Sequence, residues 1–430
     1  MEEEMKGERS CFAAAAIVVI VAAAAAATVT TGQEGVIDID GDGTMQINSS
    51  DPHTQPVLLN GLDVLSIIRQ EQSINAEQSR LIAHQAHELS LLKNQVCSQR
   101  HANLDKIPGA GAGTNAWAGG VLAPNGLIYG VPYHATSVLV IDPASNTLDT
   151  TTIAGLPVAQ HKWHAAVLVP ASHTTGNSSA VYCFPNSHDS VLILRPATNT
   201  TDWSTIADVG SDGHKFRGGV LANNGLIYGI PFSATFVLII DPRTNTINTT
   251  AMNGLPNREG KWWGGAVVPD GRIFGIPHDA DAILIINPDT NTLDITSLAG
   301  FGLGGAKWAG GVLSSSSSDD CIFGIPRNSE SVLTINSEAM TTDATTVSGL
   351  VGEKKWAGGV LAANGKVVGL PYNSDSVLVV DPFASADAAT AITGAGTENF
   401  KHRGGVLAPN GKVYSIPNSA DHVLVIDVGC

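Results

Sequence analysis

Residues 117–157 read WAGGVLAPNGLIYGVPYHATSVLVIDPASNTLDTTTIAGLP, and this stretch decides the fold. It holds four short β-type runs, AGGVLA, LIYGV, SVLVID and TLDTTTI, with no helical period between them. Asn125-Gly126 joins the first two runs, a dipeptide that takes the left-handed turn of a tight hairpin. Asp142-Pro143-Ala144-Ser145-Asn146 joins the third and fourth. There Pro fixes φ and Asn tolerates a left-handed residue.

The unit recurs. A Lys-aromatic start stands at Lys162-Trp163, Lys215-Phe216, Lys261-Trp262, Lys307-Trp308 and Lys355-Trp356, with Lys401-His402 and Ala116-Trp117 as variants. Successive starts near 116, 162, 215, 261, 307, 355 and 401 are 46, 53, 46, 46, 48 and 46 residues apart. A period of this size implies a propeller, solenoid or array. Four strands and no helix per copy exclude helical solenoids and leave a propeller blade. The seventh copy ends after its third run. Its fourth is supplied from the other end, where Asn103-Leu104-Asp105 matches Thr147-Leu148-Asp149. The expected fold is therefore all-β, a seven-bladed β-propeller over 102–430. Residues 102–112 complete the last blade and remove its open edge.

SVLVIDPASNTLDTTTI and FVLIIDPRTNTINTT resemble the V-x-V-I-D-x-x-T-N-T core of YVTN-type β-propeller repeats, and APNGLIYGVP stands in place of S-P-D-G-x-x-V-Y-V. The resemblance covers about residues 102–430. It departs in the Lys-Trp-x-Gly-Gly start and in Gly-Ile-Pro. It implies a propeller, often extracytoplasmic, and little chemistry, since propellers host many functions.

The whole chain has 430 residues, 43% hydrophobic and 14% charged, with 23 Lys+Arg against 39 Asp+Glu, a net charge of −16. It can bury a large core, which excludes global disorder. The acidic balance argues against a nucleic-acid partner. Five Cys without a C-x-x-C pair suggest no zinc site.

Residues 1–32 contain an uncharged apolar stretch, 12–29, about long enough to span a bilayer. Its acidic flank favours a signal anchor, whereas Ala25-Ala26-Ala27 resembles a signal-peptide cleavage site. Either reading puts the remainder outside the cytosol, membrane-anchored through this helix or secreted. Sequons at Asn48, Asn177, Asn199 and Asn248 fit a glycoprotein. Residues 33–57 form a polar linker. Asp38, Asp40 and Asp42 open it like a calcium loop, but the twelfth position is Ser49, not a bidentate carboxylate. No cofactor is expected beyond that calcium candidate at 38–49. Residues 58–101 predict a helical, coiled-coil-like stem. Ile68, Asn75, Ile82, Leu89 and Val96 recur every seven residues, beside Ile67, Ile74 and Leu81. The stem is a candidate for homo-oligomerisation. Cys97 and Cys430 are expected to form a disulfide, since Cys430 ends one repeat position short of the closing strand.

The loop into each first run and the loop between runs two and three share one face of a propeller. That face collects Lys162, Lys215, Lys261, Lys307, Lys355 and Lys401, with Asp189, Asp281, Glu330, Asp375 and Asp421. Two readings follow: a channel-face ring for an anionic, glycan or protein ligand, or lysine–carboxylate pairs that stitch blades together. Departures from the repeat are Trp203, Arg217, Trp263, Arg327 and Arg403, and hairpin insertions at 173–177 and 314–320. The seven inner runs begin WAGGVLA, WHAAVLV, FRGGVLA, WWGGAVV, WAGGVLS, WAGGVLA and HRGGVLA, without a carboxylate; His164 and His402 are lone bases. No catalytic residue set emerges. The sequence reads as a non-catalytic extracytoplasmic binding or interaction module. The alternatives are a hydrolase or lactonase-like enzyme with a loop-borne site and a cell-surface structural protein.

Overall fold

The computed structural model describes residues 29–30, 35–39, 45–49, 58–59, 62–99 and 102–429, except 112, 316–319, 383 and 385–387. It divides into two units, 1–99 and 100–430.

In the first unit, Leu58–Leu59 pairs with Val29–Thr30 and with Leu62–Asp63. Gly35–Ile39 pairs with Met45–Ser49 as a hairpin, in which Asp38 lies opposite Gln46. Asp40 and Asp42 lie outside the described residues, as does the apolar stretch up to 28. The helix runs Val64–Gln99, so 58–63 is not part of it. Residues 70–89 are exposed on every side in the single chain, Ile74, Leu81, Ile82 and Leu89 included. No described helix is long and apolar enough to cross a membrane.

The second unit is a closed seven-bladed β-propeller. Blade one comprises Trp117–Leu122, Ile128–Pro132, Leu139–Asp142 and Thr147–Asp149, hydrogen-bonded in that order. The inner strands of blades two to seven are Trp163–Val169, Phe216–Leu221, Trp262–Val267, Trp308–Ser315, Trp356–Leu361 and His402–Leu407. In blade seven the fourth strand is Asn103–Pro108, antiparallel to His422–Asp427 with Asn103 opposite Asp427. Thr147 faces Asp142 in the same register in blade one.

Each inner strand slips register after its first residue, between Trp117 and Gly120 and at the matching place in all seven blades. The residue inside this bulge takes a positive φ: Gly119, Ala165, Gly218, Gly264, Gly310, Gly358 and Gly404. These seven residues meet around the axis. A Cβ on Gly310 would lie 2.9 Å from the Cα of Gly358, and one on Gly404 would lie 3.1 Å from that of Gly119. Glycine is required twice over, by dihedral and by contact. Blade two departs, with Ala165 at φ 59°.

A belt of backbone hydrogen bonds closes the same end of the ring. Tyr133 N–H donates to Ala116 O, Lys162 N–H to Tyr133 O, Asn186 N–H to Lys162 O, and Lys215 N–H to Asn186 O. The alternation continues through Phe232, Lys261, His278, Lys307, Arg327, Lys355, Tyr372, Lys401 and Asn418, and it returns when Ala116 N–H donates to Asn418 O at 2.6 Å. Between neighbouring blades lie apolar layers. One holds Trp117 with Ile416 and Val423; another holds Trp163 with Tyr129 and Val131. The five Trp residues that open an inner strand each donate an indole N–H to a backbone carbonyl of their own blade, such as Trp117 to Ser137 O at 2.9 Å and Trp356 to Ser376 O at 2.8 Å.

Gly310→Ala should destabilise the propeller by roughly 2–4 kcal/mol, because left-handed strain and overpacking add. Gly365 has φ 83° but nothing near its missing Cβ, so Gly365→Ala should cost only about 1–2 kcal/mol. Urea denaturation of both variants checks this. Equal losses would refute the contact between inner strands.

Candidate functional site at the channel mouth

The lysine column lies within the wall. Lys162, Lys215, Lys261, Lys355 and Lys401 are buried. All six ammonium groups donate to the carbonyl three residues earlier: Ala159, Asp212, Arg258, Gly304, Gly352 and Glu398, at 2.7–3.1 Å. Several also reach the preceding blade, as Lys162 does to Ala135 O at 2.9 Å and Lys355 to Ser329 O at 2.9 Å. The partners are thus backbone carbonyls that tie each inter-blade loop down. Among the described residues none of these lysines forms an ion pair within 4.0 Å. Burial lowers the pKa of Lys162, Lys215, Lys261 and Lys355 to about 8. Asp189, Asp281, Glu330 and Asp375 act on the lysines only at longer range. Asp189 and Asp421 sit 3.1 and 2.8 Å from His188 and His422, and Asp281 accepts from Gly302 N–H.

Two other columns face the axis at this end. The residue after the inner-strand aromatic is Ala118, His164, Arg217, Trp263, Ala309, Ala357 or Arg403. The residue after the second-strand proline is Tyr133, Asn186, Phe232, His278, Arg327, Tyr372 or Asn418. These columns bring three arginines around one indole. The guanidinium carbons of Arg217, Arg327 and Arg403 lie 4.6, 5.1 and 5.7 Å from the Trp263 ring centre. Arg217 also lies 3.7 Å from the Phe232 ring centre, Arg327 4.7 Å from that of Tyr372, and Arg403 5.1 Å from that of Tyr133. Such contacts hold a guanidinium against an aromatic ring.

The edges of these groups are under-used. Arg403 Nη2 donates to the Tyr372 hydroxyl at 2.6 Å, and Arg217 Nη2 lies 3.0 Å from His214 Nδ1. Arg217 Nε, Arg327 Nη1, and Arg403 Nε and Nη1 are buried without a partner. No carboxylate among the described residues pairs with any of the three. Asp279 is felt weakly at Arg327, but it already holds His278 at 3.2 Å and Ala306 N–H at 2.6 Å. Burial and the neighbouring cations bring the Arg217 pKa down to about 10. Burial pushes the Tyr372 phenol up, yet Arg403 and Arg327 outweigh it, and its pKa falls below the usual phenol value.

Histidines surround the cluster. His134, His161 and His214 form a row with ring centres 4.7 and 5.1 Å apart. His164 is buried edge-on to Trp263, and neither of its nitrogens has a partner. Desolvation, with neighbouring histidines and arginines, lowers His161 to about 4 and holds His164 well below the usual imidazole value. His402, the other lone base, is buried apart from this group, 2.9 Å from Ser415 Oγ, and is likewise depressed by burial. A cavity of about 170 Å³ extends from this mouth along the glycine ring, lined by His164, Arg217, Trp263 and Arg403.

Asn177, Asn199 and Asn248 are exposed, the first two in left-handed turns. The Cys97–Cys430 pair lies outside the described residues and side chains. Among the described residues Cys183 is a buried free thiol, and no group of three metal-ligating side chains assembles. The convergence of Arg217, Arg327 and Arg403 was not read from the sequence, although each stands out as a break in a repeat column.

No protein-family model matches the chain, and no curated protein sequence matches it. The YVTN-type resemblance therefore rests on the residues quoted above. Solved propellers do match. A streptogramin B lyase structure superposes with TM-score 0.58 at 11% identity, over 76% of this chain and 97% of that one. Virginiamycin B lyase from Staphylococcus aureus, in a catalytically inactive histidine-to-alanine form with quinupristin, gives TM-score 0.58 at 10% identity over 76% and 99%. The extracellular domain of the one-component system BT4673 from B. thetaiotaomicron gives TM-score 0.52 at 11% identity, over 75% of this chain and 39% of that one. At such identity the likeness is one of fold.

Two tests separate wall from mouth. Lys355→Met leaves buried carbonyls without their donor and should cost roughly 1–3 kcal/mol of stability, measured by urea denaturation; an unchanged midpoint would contradict the role as a tie. The depressed histidines bind fewer protons folded than unfolded. Their stabilisation is complete above the unfolded value near 6.5 and is lost as pH falls toward about 4, the value for His161. Melting temperature should thus drop between about pH 7 and about pH 5. His402→Phe should flatten that drop, and a pH-independent melt would contradict the burial of neutral imidazoles.

Proposed function

We propose that this chain is a non-catalytic, extracytoplasmic binding module whose ligand enters the channel mouth. One observation carries the reading: a scaffold repeated almost residue for residue breaks its repetition in the columns that line the mouth, where unpartnered polar groups collect. Regular columns build the ring, and individual ones serve recognition. The placement outside the cytosol draws support from the apolar stretch at 12–29 and from the exposed sequons. The extracellular domain of BT4673 offers a precedent for the fold in that setting. The exposed stripe of Ile74, Ile82 and Leu89 suits pairing with a second copy through the stem.

The enzyme reading has His164 as its candidate base. Nothing orients that imidazole: both nitrogens lack a partner, and its walls are the rings of Tyr133 and Trp263. General-base catalysis needs such an orienting group.

A glycan and small-molecule screen on the full chain and on Trp263→Ala tests the binding reading. The expected result is a ligand retained by the wild type and lost by the variant. Ligands that bind both equally would move recognition away from the mouth.

A further inference from the structure

We propose that Arg217, Arg327 and Arg403 form a site for a compact oxyanion carrying more than one negative charge: sulfate, phosphate or a small polycarboxylate, free or as the end group of a larger molecule. This rests on the binding-module reading and names its ligand class.

The first ground is unbalanced charge. Three guanidiniums gather around one indole within a chain of net charge −16, and no carboxylate among the described residues pairs with them. Buried charges ordinarily have partners, because an unpaired one forfeits hydration without return. Here Arg403 and Arg327 are near enough to help lower the pKa of Arg217, beside the larger effect of its burial. The second ground is the set of open donors. Arg327 and Arg403 are 8% and 7% exposed, and they hold three partnerless N–H nitrogens, with a fourth on Arg217. Oxyanions accept several such bonds at once, and the guanidinium fork matches their geometry.

The third ground is orientation. Aromatic rings lie 3.7, 4.7 and 5.1 Å from the guanidinium carbons, while four edge nitrogens keep no partner and stay open to a ligand. The fourth is size. The adjoining cavity of about 170 Å³, lined by Arg217 and Arg403, has room for a compact anionic group. Tyr372, drawn toward its phenolate form by two arginines, reports the same demand for negative charge.

The test uses the full chain, with thermal unfolding and calorimetric titration in sulfate, phosphate and citrate against chloride at matched ionic strength. The multivalent anions should stabilise the protein beyond chloride. Arg403→Met and Arg217→Met should each weaken binding about tenfold or more. Arg258→Met, a lost charge on an exposed loop of the same face, should leave affinity unchanged. In chloride the Arg217→Met protein should melt no lower than the wild type, because a like charge has been removed. A lower melt in every buffer would make these arginines structural and overturn the site. So would equal stabilisation by sulfate and chloride, or an Arg258→Met loss matching that of Arg403→Met. Glucose 6-phosphate beside inorganic phosphate tells an end group from a free ion, and binding of either supports the site. A neutral ligand bound at the mouth with no response to any oxyanion would refute this inference and leave the binding module standing.

Discussion

The approach of seven inner strands to one axis is the constraint on which the rest of this molecule depends. It is set by bulge residues, six of them glycines with no room for a side chain, since a Cβ on Gly264 would meet Gly310 Cα at 2.9 Å, and one on Gly310 would meet Gly358 at the same distance. Strands this close leave the waist of the channel to glycine and the methyl of Ala165. Channel-lining chemistry must therefore sit at the mouth, one residue before the bulge. The backbone belt through Ala116, Tyr133, Lys162 and their counterparts lies at the same level and returns on itself. Each of its bonds is ordinary in strength. Closure makes them interdependent, because one blade cannot tilt without opening bonds on both sides.

That arrangement explains why lysine is repeated. A loop entering an inner strand leaves carbonyls turned inward, and a buried carbonyl needs a donor. An ammonium with three donors on a long stem satisfies the carbonyl three residues back and those of the neighbouring blade. Its desolvation is tolerable because it is hydrogen-bonded, and the lowered pKa of Lys162 and Lys355 records the cost. The arginines differ in kind. They occupy columns that carry Ala, His, Trp, Tyr, Phe or Asn in other blades, and their free nitrogens are not consumed by the fold. Cations used by the scaffold and cations left over by it lie a few residues apart, as Lys215 and Arg217 do.

Much of the fold was legible in the sequence. Asn-Gly hairpins, Asp-Pro turns and the Lys-Trp start fall at fixed intervals, and short-range turn chemistry depends on adjacent residues alone. The truncated seventh copy implied a borrowed strand, and Asn103–Pro108 pairs with His422–Asp427 in the register that blade one repeats. Breaks in the pattern at Arg217, Trp263, Arg327 and Arg403 were also visible.

The sequence by itself determined the blade count, the turn positions and the borrowed strand, because these follow from local periodicity along the chain. Only the tertiary structure decided what the polar residues do. A lysine beside carboxylates in a repeat reads as an ion pair or a ligand ring until the loop geometry turns its ammonium onto carbonyls, as at Gly352 and Ser329. Arg217, Arg327 and Arg403 lie in three different blades, and nothing in their spacing signals that their guanidiniums gather around Trp263. That convergence exists only once the ring closes and brings residues far apart in sequence to a common axis.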